Sequence, residues 1–113
     1  MWEVRYHPGA EEERGQLPTK ERVALENAVK KLEAMGPQLP APHQSNVEGA
    51  ESLRELRPRS GRSPWRAFYR RIGGVFVIGA VGPEAQANKR KFNQAARAAQ
   101  ERLGEAEQGG PKA

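Results

Sequence analysis

The chain has 113 residues, a net charge of +5, 36% hydrophobic residues and no Cys, a size and balance that one lean hydrophobic core serves and two would starve. The lack of Cys excludes disulfides, thiolate metal sites and Cys nucleophiles, and the lack of Asp excludes Asp-based triads, EF-hand loops and Asp-held magnesium. His7 and His43 are too few for a histidine metal centre, so neither metal nor cofactor is expected.

No run approaches the ~20 apolar residues of a membrane span, and the opening MWEVRYHPGA lacks a basic-then-apolar export signal, so a cytoplasmic protein is expected. Charge is unevenly spread: residues 1–53 carry −3, residues 54–102 carry +9 from twelve Lys/Arg against three Glu, and residues 103–113 carry −1. A basic half this lopsided points to a polyanionic partner, nucleic acid first.

In chain order, Trp2, Val4 and Tyr6 alternate with Glu3 and Arg5, which predicts a half-buried strand broken by His7-Pro8-Gly9. Ala10 to Gln16 is too polar for more than a loop or a short helical turn. Thr19 reads as an N-cap, and Leu25, Ala28, Val29, Leu32 and Met35 recur at helical spacing up to Gly36-Pro37, which predicts a helix over residues 20–35. Gly36 to Gly49, with Pro37, Pro40 and Pro42, is an extended connector.

Three strands are predicted next: Leu53–Pro58, Trp65–Arg71 and Val75–Val81, with a tight turn at Gly73-Gly74. Val75 to Ile78 is apolar without alternation, as a central strand covered on both faces should be. From Pro83 onward, Ala85, Phe92, Ala95, Ala96, Ala99 and Leu103 mark a second long helix stopping near Gly104. Residues 1–104 are thus expected to form a single α+β domain, an antiparallel sheet of about four strands packed by helices in the order strand, helix, three strands, helix. Residues 105–113 are expected to be a disordered tail.

The strand Leu53-Arg54-Glu55-Leu56-Arg57, the strand Arg66-Ala67-Phe68-Tyr69, the apolar Val75–Ile78, the Gly-Pro helix end with its Pro-rich connector and the opening Trp2-Glu3-Val4 come in an order and spacing that resembles the RelE/ParE superfamily of type II toxins. The HigB-like, phage Gp49-related branch is the most similar. That branch usually follows the apolar strand with Gly-Phe and a Lys pair, whereas this chain reads Gly79-Ala80-Val81-Gly82-Pro83-Glu84 and places Lys89-Arg90-Lys91 later. An aromatic common in the L-x-E-L-R strand is Arg54 here.

The resemblance implies a RelE-like domain that acts as a metal-independent mRNA interferase, in which a ribose 2′-OH attacks the adjacent phosphate of a message in the ribosomal A site. It also implies the ribosome and mRNA as partners, and a cognate antitoxin of the helix-turn-helix, HigA-like kind. Arg57 and Arg66 match the family's strand arginines and take the catalytic role of holding phosphate oxygens in the transition state, since a guanidinium grips two oxygens at once. Arg66 is expected at the sheet surface, so its loss is expected to spare stability. Tyr69 closes the motif as a third catalytic candidate that stacks on a base or positions a phosphate; a core tyrosine is the plainer reading.

Arg54, Arg59 and Arg62 beside the first turn of the meander, and Lys89, Arg90 and Lys91 at a helix start, are RNA-binding candidates. The general base is open among Glu55, Lys89, Lys91 and ribosomal RNA groups, because both His read as ordinary exposed side chains. Two alternatives stand beside this reading: a non-enzymatic, ParE-like gyrase inhibitor, and a degenerate homologue that binds RNA without cutting it.

Overall fold

The computed structural model describes residues 1–108. Strand β1 (Glu3–Tyr6) leads into helices α1 (Pro8–Gly15) and α2 (Thr19–Met35), then into β2 (Gln44–Asn46), β3 (Arg54–Leu56), β4 (Trp65–Ile72), β5 (Val75–Pro83) and helix α3 (Lys89–Glu107). The sheet has five strands in the order β1-β5-β4-β3-β2. β2 to β5 form an antiparallel meander, while β1 lies parallel to β5 with Tyr6 opposite Ile78.

The α+β class stands, but the expected four-stranded antiparallel sheet is corrected to a five-stranded mixed one. The alternation of Trp2, Val4 and Tyr6 says which face is buried and nothing about strand direction. Direction is set by the meander, which runs from the far edge back to the centre and lays β5 alongside β1. The added strand β2 has three residues and pairs only with β3.

Helix α1 was not expected as an element. It is mostly polar and buries only Ala10, yet it is well specified at its start: Pro8 occupies the first turn and His7 Nδ1 accepts from Gly9 N at 2.9 Å. His7 is therefore a cap. Helix α2 begins at Thr19 with Pro18 in the cap position and no side-chain cap, which corrects Thr19 as its N-cap. Its end at Gly36, with φ +56°, is as expected.

Both faces of the sheet are covered. Leu25, Ala28 and Leu32 of α2 pack with Leu56, Ala67, Tyr69, Phe76 and Ile78 on one side. On the other, Ala96, Ala99 and Leu103 of α3 pack with Leu53, Phe68 and Ala80. Helix α3 rides unusually close to β5, because a Cβ at Gly82 would stand 2.6 Å from Ala95 Cβ and one at Gly79 2.8 Å from Leu103 Cγ.

Since β5 runs to Pro83, α3 starts at Lys89, where Asn88 Oδ1 caps Lys91 N at 3.0 Å, and not near Pro83. It also continues through Gly104 to Glu107, which Arg70 anchors at 2.8 Å, so residues 105–107 are helix and not tail. Residues 109–113 of the expected tail lie outside the described residues. Among the described residues, no helix is long and apolar enough to cross a membrane.

Candidate active site

Where β3 ends, Arg57 leads into a compact turn, Pro58–Gly61, in which Arg59 and Ser60 take left-handed backbone angles. Glu21 of α2 clamps this turn. Its carboxylate accepts from Ser63 Oγ at 2.8 Å and from the Arg59 guanidinium at 2.9 Å. Burial alone would raise the Glu21 pKa, but the Ser63 hydroxyl and Arg59 outweigh it and hold the carboxyl below its usual value.

Arg66 completes the clamp from β4. Its Nε donates to Glu55 Oε1 at 3.0 Å, Nη1 donates to the carbonyls of Ser63 at 2.7 Å and Trp65 at 2.9 Å, and Nη2 donates to Gly61 O at 3.3 Å with Glu84 Oε1 at 4.0 Å. The residue is 3% exposed, so the expected surface position is corrected. Desolvation by burial, then repulsion from Arg57, lowers its pKa, and Glu55 and Glu84 oppose that fall. A guanidinium has five N–H donors, and here four are committed within the chain.

Arg57 is the opposite case. Among the described residues no carboxylate pairs with it, and its buried Nε has no hydrogen-bond partner. Gly61 lies against it, since a Cβ there would stand 3.3 Å from the guanidinium. An unpaired cation beside a second guanidinium is an electrostatic deficit that an incoming anion would relieve.

Arg57, Arg66, Glu55, Gly61, Glu84, Ala85, Gln86 and Phe92 line one cleft of about 290 Å³ at this end of the sheet. Phe92 forms its apolar wall, edge-on to Phe68 at 5.2 Å. Glu84, Gln86 and Phe92 were not among the sequence candidates. The signal for Glu84 was the segment Gly79 to Glu84 itself, where the expected Lys pair gives way to a carboxylate.

The remaining candidates are dispersed. Tyr69 is 2% exposed on the α2 side of the sheet, edge-on to Phe76 at 5.8 Å, and does not line the Arg57 cleft. Arg54, on the same face, donates to Gln44 Oε1 at 3.0 Å. Arg59 is held by Glu21, and exposed Arg62 donates to Arg59 O at 3.3 Å. Lys89, Arg90 and Lys91 are exposed on the first turn of α3, just past the Gln86 wall of the cleft. That turn holds no acidic residue, so three cations sit where the helix dipole is least favourable to them.

The family profile described as phage derived protein Gp49-like (DUF891) matches residues 12–78, more than half of the chain. No protein of curated function matches. Among solved structures, a mutant of the Escherichia coli toxin RelE in the free state aligns with a TM-score of 0.61 at 17% identity, over 85% of this chain and 95% of that one. YafQ of Escherichia coli aligns with a TM-score of 0.57 at 12% identity over 78% and 99%. The toxin-antitoxin complex RelBE2 of Mycobacterium tuberculosis aligns with a TM-score of 0.57 at 17% identity over 74% and 98%. At these identities the structures speak for the fold and the profile for the family: the chain belongs to the phage-derived Gp49-like family and is built on the fold of the RelE toxins.

Proposed function

We propose that this protein is the toxin of a type II toxin-antitoxin pair and a ribosome-dependent mRNA endonuclease that needs no metal. The observation that carries the reading is Arg57, an unpaired guanidinium with a buried Nε in a cleft that also holds carboxylates. Arg57 holds the non-bridging oxygens of the scissile phosphate as charge builds on them. Glu55 is the base: Arg66 holds its Oε1, and Oε2 is left to take the proton of the attacking 2′-OH. The 2′-oxygen bonds to phosphorus, the bond to the 5′-oxygen breaks, and that oxygen takes a proton from solvent, leaving a 2′,3′-cyclic phosphate.

Arg66 is a positioning residue in this scheme, because its donors are spent on Glu55 and the turn. Lys89, Arg90, Lys91 and Arg62 track the backbone of the message or of ribosomal RNA. The cognate antitoxin, of helix-turn-helix type, covers this basic end; the fold's likeness to a RelBE2 toxin-antitoxin complex supports a partner of that class.

One observation favours a second reading. With four of the five Arg66 donors held by its own chain and Glu84 where the branch usually has lysines, the cleft is less cationic than the family pattern, as in a homologue that binds RNA without cutting. Induced expression with mapping of message ends decides between them. A cutting enzyme stops growth and creates new ends inside translated codons that vanish when initiation is blocked. Ribosome association with no new ends establishes the binder.

A further inference from the structure

On the α2 side of the sheet, at the other end of β3 and β4 from Arg57, a second cleft of about 310 Å³ is floored by Leu39, Tyr69 and Phe76. No carboxylate lines it. Arg54 stands opposite Tyr69 in the β3–β4 register, and Arg71 lies two residues further along β4 with its guanidinium 4.8 Å from the centre of the Trp2 ring. Neither arginine has an ion-pair partner among the described residues. Arg70 borders the cleft, but its guanidinium is tied to Glu107 on α3.

Tyr69 gives the cleft its second feature. It is 2% exposed, and the polar groups around it are engaged elsewhere: Arg54 with Gln44 Oε1 at 3.0 Å, Gln44 Nε2 with Leu39 O at 3.0 Å, and Arg71 Nε with Gly73 O at 3.1 Å. The ring is buried, while its hydroxyl makes no hydrogen bond among the described residues and borders a cleft rimmed by two arginines that no carboxylate pairs. Burial pushes its pKa up to about 12 against the pull of Arg54, so it keeps its proton at neutral pH.

We infer that this cleft is a phosphate site, in which the Arg54 and Arg71 guanidiniums hold a phosphate monoester or diester group and the Tyr69 hydroxyl donates a third hydrogen bond. Three donor groups drawn from two strands suit the oxygens of a tetrahedral phosphate better than the two coplanar oxygens of a carboxylate. Tyr69 and Phe76 are buried in edge-on contact and leave no open ring face for a base, so the phosphate itself is what is recognised. The site is separate from the chemistry proposed at Arg57, because the two clefts share no lining residue.

The test is a titration of the full-length, isotope-labelled protein with inorganic phosphate, 5′-AMP and a short oligoribonucleotide, read on the Nε–H resonances of Arg54 and Arg71. Saturable shifts in both are expected, and the stronger of the two organic probes identifies the source, free nucleotide or RNA. Y69F removes only the hydroxyl and should weaken binding about tenfold at an unchanged thermal midpoint, as loss of one charge-assisted hydrogen bond does. R54Q and R71Q should weaken it at least as much.

R57A removes the anion site proposed at the other cleft, yet the saturable shifts of Arg54 and Arg71 should persist in it, and this keeps the inference distinct from the proposed cutting reaction. No saturable shift, equal binding by Y69F, loss of the Arg54 and Arg71 shifts in R57A, or shifts with a glutamate-rich peptide but none with the phosphate probes would each overturn it.

Discussion

Arg57 and Arg66 are both strand-end arginines, yet they differ in what already holds them, and opposite behaviours follow. Removing Arg66 leaves Glu55 without its ion pair and strips donors from the carbonyls of Gly61, Ser63 and Trp65. Arg66→Ala should therefore cost about 3–5 kcal/mol in urea unfolding, the range for breaking one side of a buried pair. Arg57→Ala removes a cation with no partner and should leave stability within about 1 kcal/mol, while cutting falls by about 10²–10³, as for loss of one transition-state donor. Equal stability losses in the two variants would contradict this division of labour.

Glu21 adds a pH signature. Its folded pKa lies below the ordinary value of 4.5, so its contribution is present at neutral pH and is lost as pH falls through the folded value. Glu21→Gln should accordingly flatten the dependence of the thermal midpoint on pH below about 4.5 and lower it above. The sequence named both arginines but could not rank them, because the chain around Arg66 shows nothing of the backbone carbonyls that the turn aims at it. Tyr69 is the core tyrosine of the plainer reading: it stands three residues from Arg66, so the alternation of β4 puts it with Ala67 on the α2 side and off the Arg66 face, a parity already legible in the spacing.

Among the elements, α2 and the β4–β5 hairpin were plain in the sequence because their patterns are long and their stops, Gly36-Pro37 and Gly73-Gly74, are strong. Helix α1 was hidden because it buries a single alanine, and β2 because three residues carry no period. The start of α3 was misjudged because Pro83 reads as a helix opener, whereas it ends β5 and the cap is Asn88. The seat of α3 is the most exacting contact of the fold. Gly82→Val would drive a side chain into Ala95 and should destabilise by about 1–3 kcal/mol, with loss of the Phe68–Phe92 contact visible in aromatic NMR shifts. An unchanged midpoint and spectrum would show that the helix does not sit so close.

Over the whole molecule, the −3 of residues 1–53 and the +9 of residues 54–102 do not form separate lobes, because the strands of the second segment lie between the helices of the first and α3. Much of the positive charge is internally engaged, at Arg59, Arg66, Arg70 and Arg102. Of the eight others, Arg57, Arg62 and the three of the Lys89–Lys91 turn gather at the cleft end, while Arg54 and Arg71 border the second cleft and Arg97 lies along α3. With about six phosphate contacts, affinity for RNA or ribosomes should fall by on the order of 10³ between about 50 and 200 mM salt. A flat salt dependence would speak against a polyanionic partner.

The most direct measurement of the central claim uses purified ribosomes carrying a message with a defined codon in the A site, incubated with the parent protein or with Arg57→Ala at low salt, followed by mapping of the RNA ends. The account predicts cleavage within that codon by the parent, with a 2′,3′-cyclic phosphate on the upstream fragment and none on message free of ribosomes. It also predicts that Arg57→Ala still sediments with the ribosome but leaves the message intact. Uncut message in the presence of bound parent protein, or equal cutting by Arg57→Ala, would contradict it.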